Sequence, residues 1–331
     1  MSSASKGAHG VPTVLVAEPL APDCVTWLSL RCTVIERPAD DPAFNDALAT
    51  ADALIVRTYT AVNADLLARA PKLRVVGRAG VGLDNIDLQS CRDRSVRVVH
   101  TPGANTNAVV EFVVACMLDA TRHRLYLQAP LAEADWNKLR DELVSERQLS
   151  PLTLGIYGFG RIGSRVTRVA SAFNMRVLYH DIREIDPAQR HGAEPVDRET
   201  LLADCDILSL HVDGRPENRC LYDTDAFGRM KPDAVFINAA RGFLVDPFAL
   251  AEFMIAHPRA TAIIDVHDPE PFGPDYPLLD IDNIHLTPHI AAATRDAKTA
   301  MSWVVKDIWK VLSGETPEHE AHPPAHTDPA H

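Results

Sequence analysis

The strongest constraint on the fold is the run Gly158-Phe159-Gly160-Arg161-Ile162-Gly163, taken with its surroundings. A GxGxxG run alone says little. This one follows the apolar segment Leu152–Tyr157 and opens the helical stretch SRVTRVASAF, the strand–turn–helix setting of a dinucleotide phosphate loop. Gly158 permits the tight turn, Gly160 lets the backbone approach a pyrophosphate, and Gly163 lets the helix pack closely on the strand. The helix N-terminus then offers N–H groups and a positive dipole end to the phosphates, so Phe159, Arg161 and Ile162 join the candidate cofactor loop. Asp181 ends the next strand, where a carboxylate accepts ribose hydroxyls and repels a 2′-phosphate; this favours NAD over NADP. Arg183, two residues on, pulls the other way. The plain alternative is an ordinary strand–turn–helix with a surface Asp.

The rest of the chain reads as α/β. Short Val- and Ile-rich runs separated by helical stretches occur at Thr13–Ala17, Thr33–Glu36, Ala53–Arg57, Arg74–Gly77 and Arg97–His100. They predict a small domain with a parallel sheet. A helix is expected from Thr106 to about Leu127, apolar over much of its surface and therefore packed on more than one side. A second strand set, Leu152–Tyr157, Arg176–His180, Ile207–Val212, Ala234–Asn238, Ala262–Val266 and Ile284–Thr287, predicts a doubly wound sheet. Thr294–Leu312 reads as one amphipathic helix. The last residues, GETPEHEAHPPAHTDPAH, lack apolar content and are read as a disordered tail over 315–331; its His319, His322, His326 and His331 offer at most a weak metal site, and no metal is expected.

Composition narrows the function classes. At 331 residues there is room for two cores. A net charge of −12 argues against nucleic acid or an anionic membrane as a general partner. The six cysteines form no CxxC pair and read as reduced thiols. With no signal-peptide stretch and no run near the roughly 20 apolar residues of a membrane span, the expected location is the cytoplasm.

Three strand ends of the second set carry reactive side chains: Asn238-Ala239-Ala240-Arg241-Gly242, Asp265-Val266-His267-Asp268-Pro269-Glu270-Pro271, and Thr287-Pro288-His289-Ile290. Ligands of doubly wound sheets bind outside the carboxyl ends of the strands, so Arg241, Glu270 and His289 can converge there. Hydride transfer to a ketone creates alkoxide charge that a proton donor must quench, and His is suited to that task. A carboxylate fixes its tautomer and favours the imidazolium; Arg offers a planar fork to a substrate carboxylate and carbonyl. Taken singly, each has a bland reading: a surface ion pair, a loop charge, a helix cap.

Together with GRAGVGLDNID, TPGANTNAVVEF, GIYGFGRIGSR, INAARGFLVD and TPHIAAAT, these segments resemble the D-isomer-specific 2-hydroxyacid dehydrogenase family over about Thr13 to Gly314. The resemblance implies a Rossmann-type domain, 103–291, inserted into a smaller flavodoxin-like substrate domain made of 1–102 and 292–314, with hinges near Pro102 and Ala291. It implies NAD as cofactor, a small anionic keto or hydroxy acid as substrate, and a homodimer formed through the nucleotide domain and the Thr106 helix. It assigns substrate polarisation to Arg241, acid–base work to His289 and orientation of that His to Glu270. Gly80-Val81-Gly82 would present N–H groups to the substrate carboxylate, and Asp265 would lie near the nicotinamide amide. His211, Ala239, Ala240, His289 and Ala291 would also line the cofactor. Three departures stand out: Asp213 where the family usually has Pro, His267 in place of the usual Phe, and Leu149-Ser150-Pro151-Leu152 without the common Gly-Lys.

Two arginines at strand ends of the first set, Arg57 and Arg78, match by resemblance the residues that hold substrate phosphate in phosphoglycerate dehydrogenases. Unpaired cations in a cleft are costly unless a ligand compensates them, so they imply a second anionic group on the substrate, as in 3-phosphoglycerate/phosphohydroxypyruvate or a phosphono-keto acid. The alternative is pairing with nearby acids such as Asp84 or Asp52. A glyoxylate/hydroxypyruvate-type reductase, a phosphite- or formate-type dehydrogenase, and an NAD-sensing scaffold like the C-terminal-binding-protein corepressors, whose segment resembles DVHDPEPF, stay open. The further C-terminal regulatory domain of some phosphoglycerate dehydrogenases is not expected.

Overall fold

The structure is a computed structural model and describes residues 10–122 and 124–321. The chain divides into two compact units, one ending at Asn105 and resuming at Thr294, the other spanning Thr106–Ala293.

In the first unit the strands are β1 (Thr13–Val16), β2 (Thr33–Glu36), β3 (Ala53–Val56), β4 (Val75–Arg78) and β5 (Arg97–His100). They alternate with α1 (Pro22–Ser29), α2 (Phe44–Thr50), α3 (Ala64–Ala68) and α4 (Leu88–Asp93). The parallel order β2-β1-β3-β4-β5 is flavodoxin-like. Strands β1, β3 and β4 are apolar on both faces because helices cover both. Leu15, Leu54 and Val76 face Phe44, Leu66 and Leu67; Val14, Ile55 and Val75 face Leu28 and Ile308.

The second unit begins with α5 (Thr106–Thr121), whose Val109, Val113 and Met117 pack beside Val166 and Ala170. After α6 (Glu133–Glu142), seven strands follow: β6 (Thr153–Tyr157), β7 (Arg176–His180), β8 (Glu194–Pro195), β9 (Ile207–Leu210), β10 (Val235–Asn238), β11 (Thr261–Ile264) and β12 (Ile284–Leu286). Helices α7 (Arg161–Ala172), α8 (Arg198–Asp204), α9 (Thr224–Gly228) and α10 (Pro247–Ala256) connect them. All pairings are parallel in the order β12-β11-β10-β9-β6-β7-β8, so the winding reverses between β6 and β9. That switch point is where a Rossmann sheet receives its ligand.

The structure corrects three expectations. The Thr106 helix stops at Thr121, and a separate helix, α6, follows with no buried residue. The single C-terminal helix is two, α11 (Arg295–Ser302) and α12 (Val305–Ser313). The break has a cause: buried Ser302 donates its hydroxyl back to the Lys298 carbonyl at 2.7 Å while accepting the Ala21 N–H at 3.0 Å. Residues 315–321 of the expected disordered tail are ordered. Glu320 and Ala321 form β13, antiparallel to β5, and Arg97 clasps the Glu320 carboxylate through Nε at 2.8 Å and a second guanidinium nitrogen at 2.5 Å. Buried Asp307 accepts the N–H groups of Glu318 and His319. Residues 322–331, with His322, His326 and His331, lie outside the described residues.

Candidate active site

The phosphate loop leaves β6 in a conformation only glycine adopts readily: Gly158 has φ +98°. A β-carbon there would meet the His211 carbonyl group at 2.8 Å, and one at Gly163 would collide with the Gly158 carbonyl oxygen. Gly160 differs, because a β-carbon there would meet nothing within 4 Å. It stands at the N-terminus of α7, which no side chain caps. A backbone open on that side beside uncapped N–H groups fits a pyrophosphate. Phe159, expected in the cofactor loop, shapes that loop: its ring is buried against Tyr179 and its N–H is committed to Asp181.

Asp181 follows β7, its side chain nearly buried. It accepts the Phe159 N–H at 2.7 Å and the Arg183 N–H and Nε at 2.9 and 3.0 Å. Burial raises its pKa, but the bonds from Arg183 and Phe159 outweigh burial and leave it below the usual carboxylate range. His211 follows β9, donating its backbone N–H to the Tyr157 carbonyl at 2.8 Å. Its Nε2 is buried without a partner, and burial lowers its pKa to about 3, so the ring is neutral.

The reactive segments are held by buried polar anchors. Fully buried Asn238 accepts the Ala240 N–H at 3.1 Å and donates to the Arg241 carbonyl at 2.9 Å, fixing the turn through Ala239 and Ala240. Arg241 donates to the Ala240 carbonyl at 2.6 Å. The next residue must be glycine, because a β-carbon at Gly242 would collide with the His267 backbone. Asp265 is 1% exposed and accepts from Thr287 Oγ1 at 2.6 Å, Ile290 N–H at 2.7 Å and Ala291 N–H at 2.8 Å. Its carbonyl accepts the His289 N–H at 2.8 Å. These bonds hold His289 at φ +54°, a left-handed conformation that a non-glycine residue keeps only when its surroundings enforce it.

His289 Nδ1 lies 2.7 Å from Glu270 Oε2, and Glu270 Oε1 accepts the His267 N–H at 2.7 Å. Burial raises the Glu270 pKa, but the bonds from His289 and His267 more than offset it and keep the carboxylate below its ordinary range. The structure thus brings together two of the three residues marked in the sequence, with Arg241 at the neighbouring strand end. Asn238, Gly242 and Thr287, which the sequence reading quoted without a role, are the anchors. Their signal was position: small or short polar residues at the ends of buried strands.

Arg57, Arg78 and the Gly80-Val81-Gly82 loop belong to the first unit. The Glu18 carboxylate accepts the N–H groups of Arg57, Thr58, Tyr59 and Thr60, which fixes the loop after β3. Burial lowers the Arg57 pKa, and the Glu18 carboxylate opposes that shift only in part. Arg78 lies over Gly80, where a β-carbon would strike its guanidinium, and donates to the Ala79 carbonyl at 3.0 Å. His100 Nδ1 contacts the Val81 carbonyl at 3.2 Å, and Thr101 donates to the Gly80 carbonyl. Among the described residues, no three His, Cys, Asp or Glu side chains are placed to hold a metal ion, and no helix is long and apolar enough to cross a membrane.

Residues 114–291 match the family described as D-isomer specific 2-hydroxyacid dehydrogenase, NAD binding domain. The chain belongs to this family. It is 35% identical over 306 residues to a D-3-phosphoglycerate dehydrogenase of Archaeoglobus fulgidus, covering 91% of this chain and 57% of that protein. It is 34% identical over 305 residues to a glyoxylate reductase of Aeropyrum pernix, covering 89% and 91%. A protein of solved structure from Thermus thermophilus shares 32% identity at a TM-score of 0.79, covering 93% and 99%. The chain therefore spans less than two thirds of its phosphoglycerate dehydrogenase relatives.

Proposed function

We propose that the protein is an NAD-dependent dehydrogenase that interconverts a small 2-keto acid and its D-2-hydroxy acid. The observation that carries this reading is the 2.7 Å contact of His289 Nδ1 with Glu270. With Nδ1 committed to the carboxylate, Nε2 is the nitrogen left to give a proton to the keto oxygen during reduction and to take it back during oxidation. NAD, when bound along the loop 158–163, supplies the hydride acceptor or donor. Arg241 holds the substrate carboxylate and polarises the carbonyl. Asp181 receives the adenosine ribose, and His211, Ala239, Ala240, Asp265 and Ala291 line the cofactor from their strand ends. Of the loop Gly80-Val81-Gly82, Val81 and Gly82 offer N–H groups to the substrate, because the Gly80 N–H is committed to the Arg78 carbonyl at 2.8 Å.

We further infer a second anionic group on the substrate, as in phosphohydroxypyruvate or a phosphono-keto acid. The support is Arg57, a half-buried cation whose pKa burial lowers and the nearby Glu18 carboxylate only partly restores. Arg78, preceding the Gly80 loop, is assigned the same ligand. A monoanionic substrate is the second reading, favoured by the glyoxylate reductase that the chain matches over 91% of its length. NADH oxidation with pyruvate, glyoxylate, hydroxypyruvate, phosphohydroxypyruvate and phosphonopyruvate decides. The dianions should lead, and Arg57→Ala and Arg78→Ala should abolish their advantage; equal rates for monoanions would end the second-anion reading. Tight NADH binding without turnover on any acid would favour a scaffold.

A homodimer in the cytoplasm completes the reading. Tyr126, Trp136 and Val144, at 75%, 47% and 73% exposure, lie with Leu125 and Leu131 on one segment after α5. The occupant we assign is a second copy. All six cysteines are free, as in a reducing compartment.

A further inference from the structure

We propose that His267 is a positioning residue that holds both members of the Glu270–His289 pair. The inference rests on the reading of that pair as the acid–base device. His267 is 7% exposed and sits after β11. Its backbone N–H donates to Glu270 Oε1 at 2.7 Å, which aims the other carboxylate oxygen at His289. Its ring works on the other partner. Nε2 lies 2.9 Å from the Thr287 carbonyl oxygen, and a carbonyl only accepts, so Nε2 carries the proton. On the other side of the ring, Nδ1 lies 3.3 Å from the Tyr276 hydroxyl, so both ring nitrogens are engaged. Phe272 and Tyr276 pack edge-on against the ring.

The Thr287 carbonyl matters because it also receives the His289 N–H at 3.0 Å, closing the turn at Pro288 that leads into His289. One residue therefore fixes the carboxylate by its backbone and the imidazole-bearing turn by its side chain. A phenylalanine at this place would keep the first bond and lose the second.

The test is keto-acid reduction by wild type, His267→Phe, His267→Gln and Tyr276→Phe, each with a pH profile, an NADH titration and a melting curve. His267→Phe conserves bulk and should lower kcat about 10-fold, with KM and NADH affinity within about twofold. His267→Gln, whose amide N–H can reach the Thr287 carbonyl, should recover most of that loss. Tyr276→Phe should cost about twofold to threefold in kcat, and it carries the test if His267→Phe does not fold. Wild-type kcat and pH profile in His267→Phe, or equal losses in the Phe and Gln variants, would overturn the proposal. A wild type inactive on every keto acid would instead overturn the reading of the pair.

Discussion

Two carboxylates at strand ends of the second unit each hold a basic side chain, and they hold it differently. Glu270 meets His289 inside a frame of buried anchors: His267 N–H on the carboxylate, and Asp265 with its three donors under the histidine turn. Asp181 is also nearly buried and pinned by the Phe159 N–H, but its partner Arg183 has a side chain 61% exposed. The first arrangement fixes geometry, as proton transfer requires, because misplacement by about 1 Å can cost ~10²-fold in rate. The second leaves the partner movable: Arg183 grips the carboxylate through Nε at 3.0 Å and a second guanidinium nitrogen at 3.1 Å, but being exposed it can swing into solvent when ribose hydroxyls take its place.

The comparison breaks first at its rigid end. His289→Ala and Arg241→Ala should each lower kcat/KM about 10²–10⁴-fold in steady-state keto-acid reduction, with NADH binding near wild type. A loss of only a few fold from His289→Ala would mean that the fixed frame serves something other than proton transfer.

Glu270→Gln should cost less and be more informative. Without the carboxylate the imidazolium loses its charge partner, so the alkaline limb of keto-acid reduction should move to lower pH. A profile superimposable on wild type would show that the pair does not act in turnover. Stability changes in the opposite pH range. A carboxyl group held below its ordinary 4.5 stabilises the fold above that pH and gives up the contribution as pH falls through the lowered value. Melting temperatures followed from pH 6 to about pH 3 should therefore fall more steeply in wild type than in Glu270→Gln.

What could be read in the sequence follows the same division. Strands such as Ala53–Val56 and Ile207–Leu210 were legible because their β-branched runs are buried on both faces, and the Gly-rich loop because its glycines answer to backbone contacts. The reactive residues were legible as chemistry at strand ends. Their support was not. Asp265 was legible as a cofactor contact; that its carboxylate also accepts three bonds from its own chain, from residues 22–26 positions away, was not. Strand β13 was missed because Glu320 and Ala321 carry no apolar pattern; backbone pairing to β5 and the Arg97 clasp hold them. Helix α6 was missed because it buries nothing, so periodicity had no face to mark.

The smallest expected effect sits at the adjustable end. Asp181 would face a 2′-phosphate, and like charges brought together cost up to several kcal/mol, so NAD should be preferred over NADP in kcat/KM by about tenfold or more. Asp181→Ala should erode that preference mainly by raising NADP turnover. Arg183→Ala is the sharper probe, because Arg183 is tied to Asp181 through Nε at 3.0 Å while remaining exposed. If the arginine only neutralises Asp181, its removal should leave NAD kinetics within about twofold, shift the melting temperature little, and make NADP worse. If instead NADP and NAD are used equally by the wild type and Arg183→Ala restores a strong NAD preference, the arginine has swung to the phosphate and Asp181 does not decide the cofactor. The exposed half of the comparison would then be the one that sets specificity.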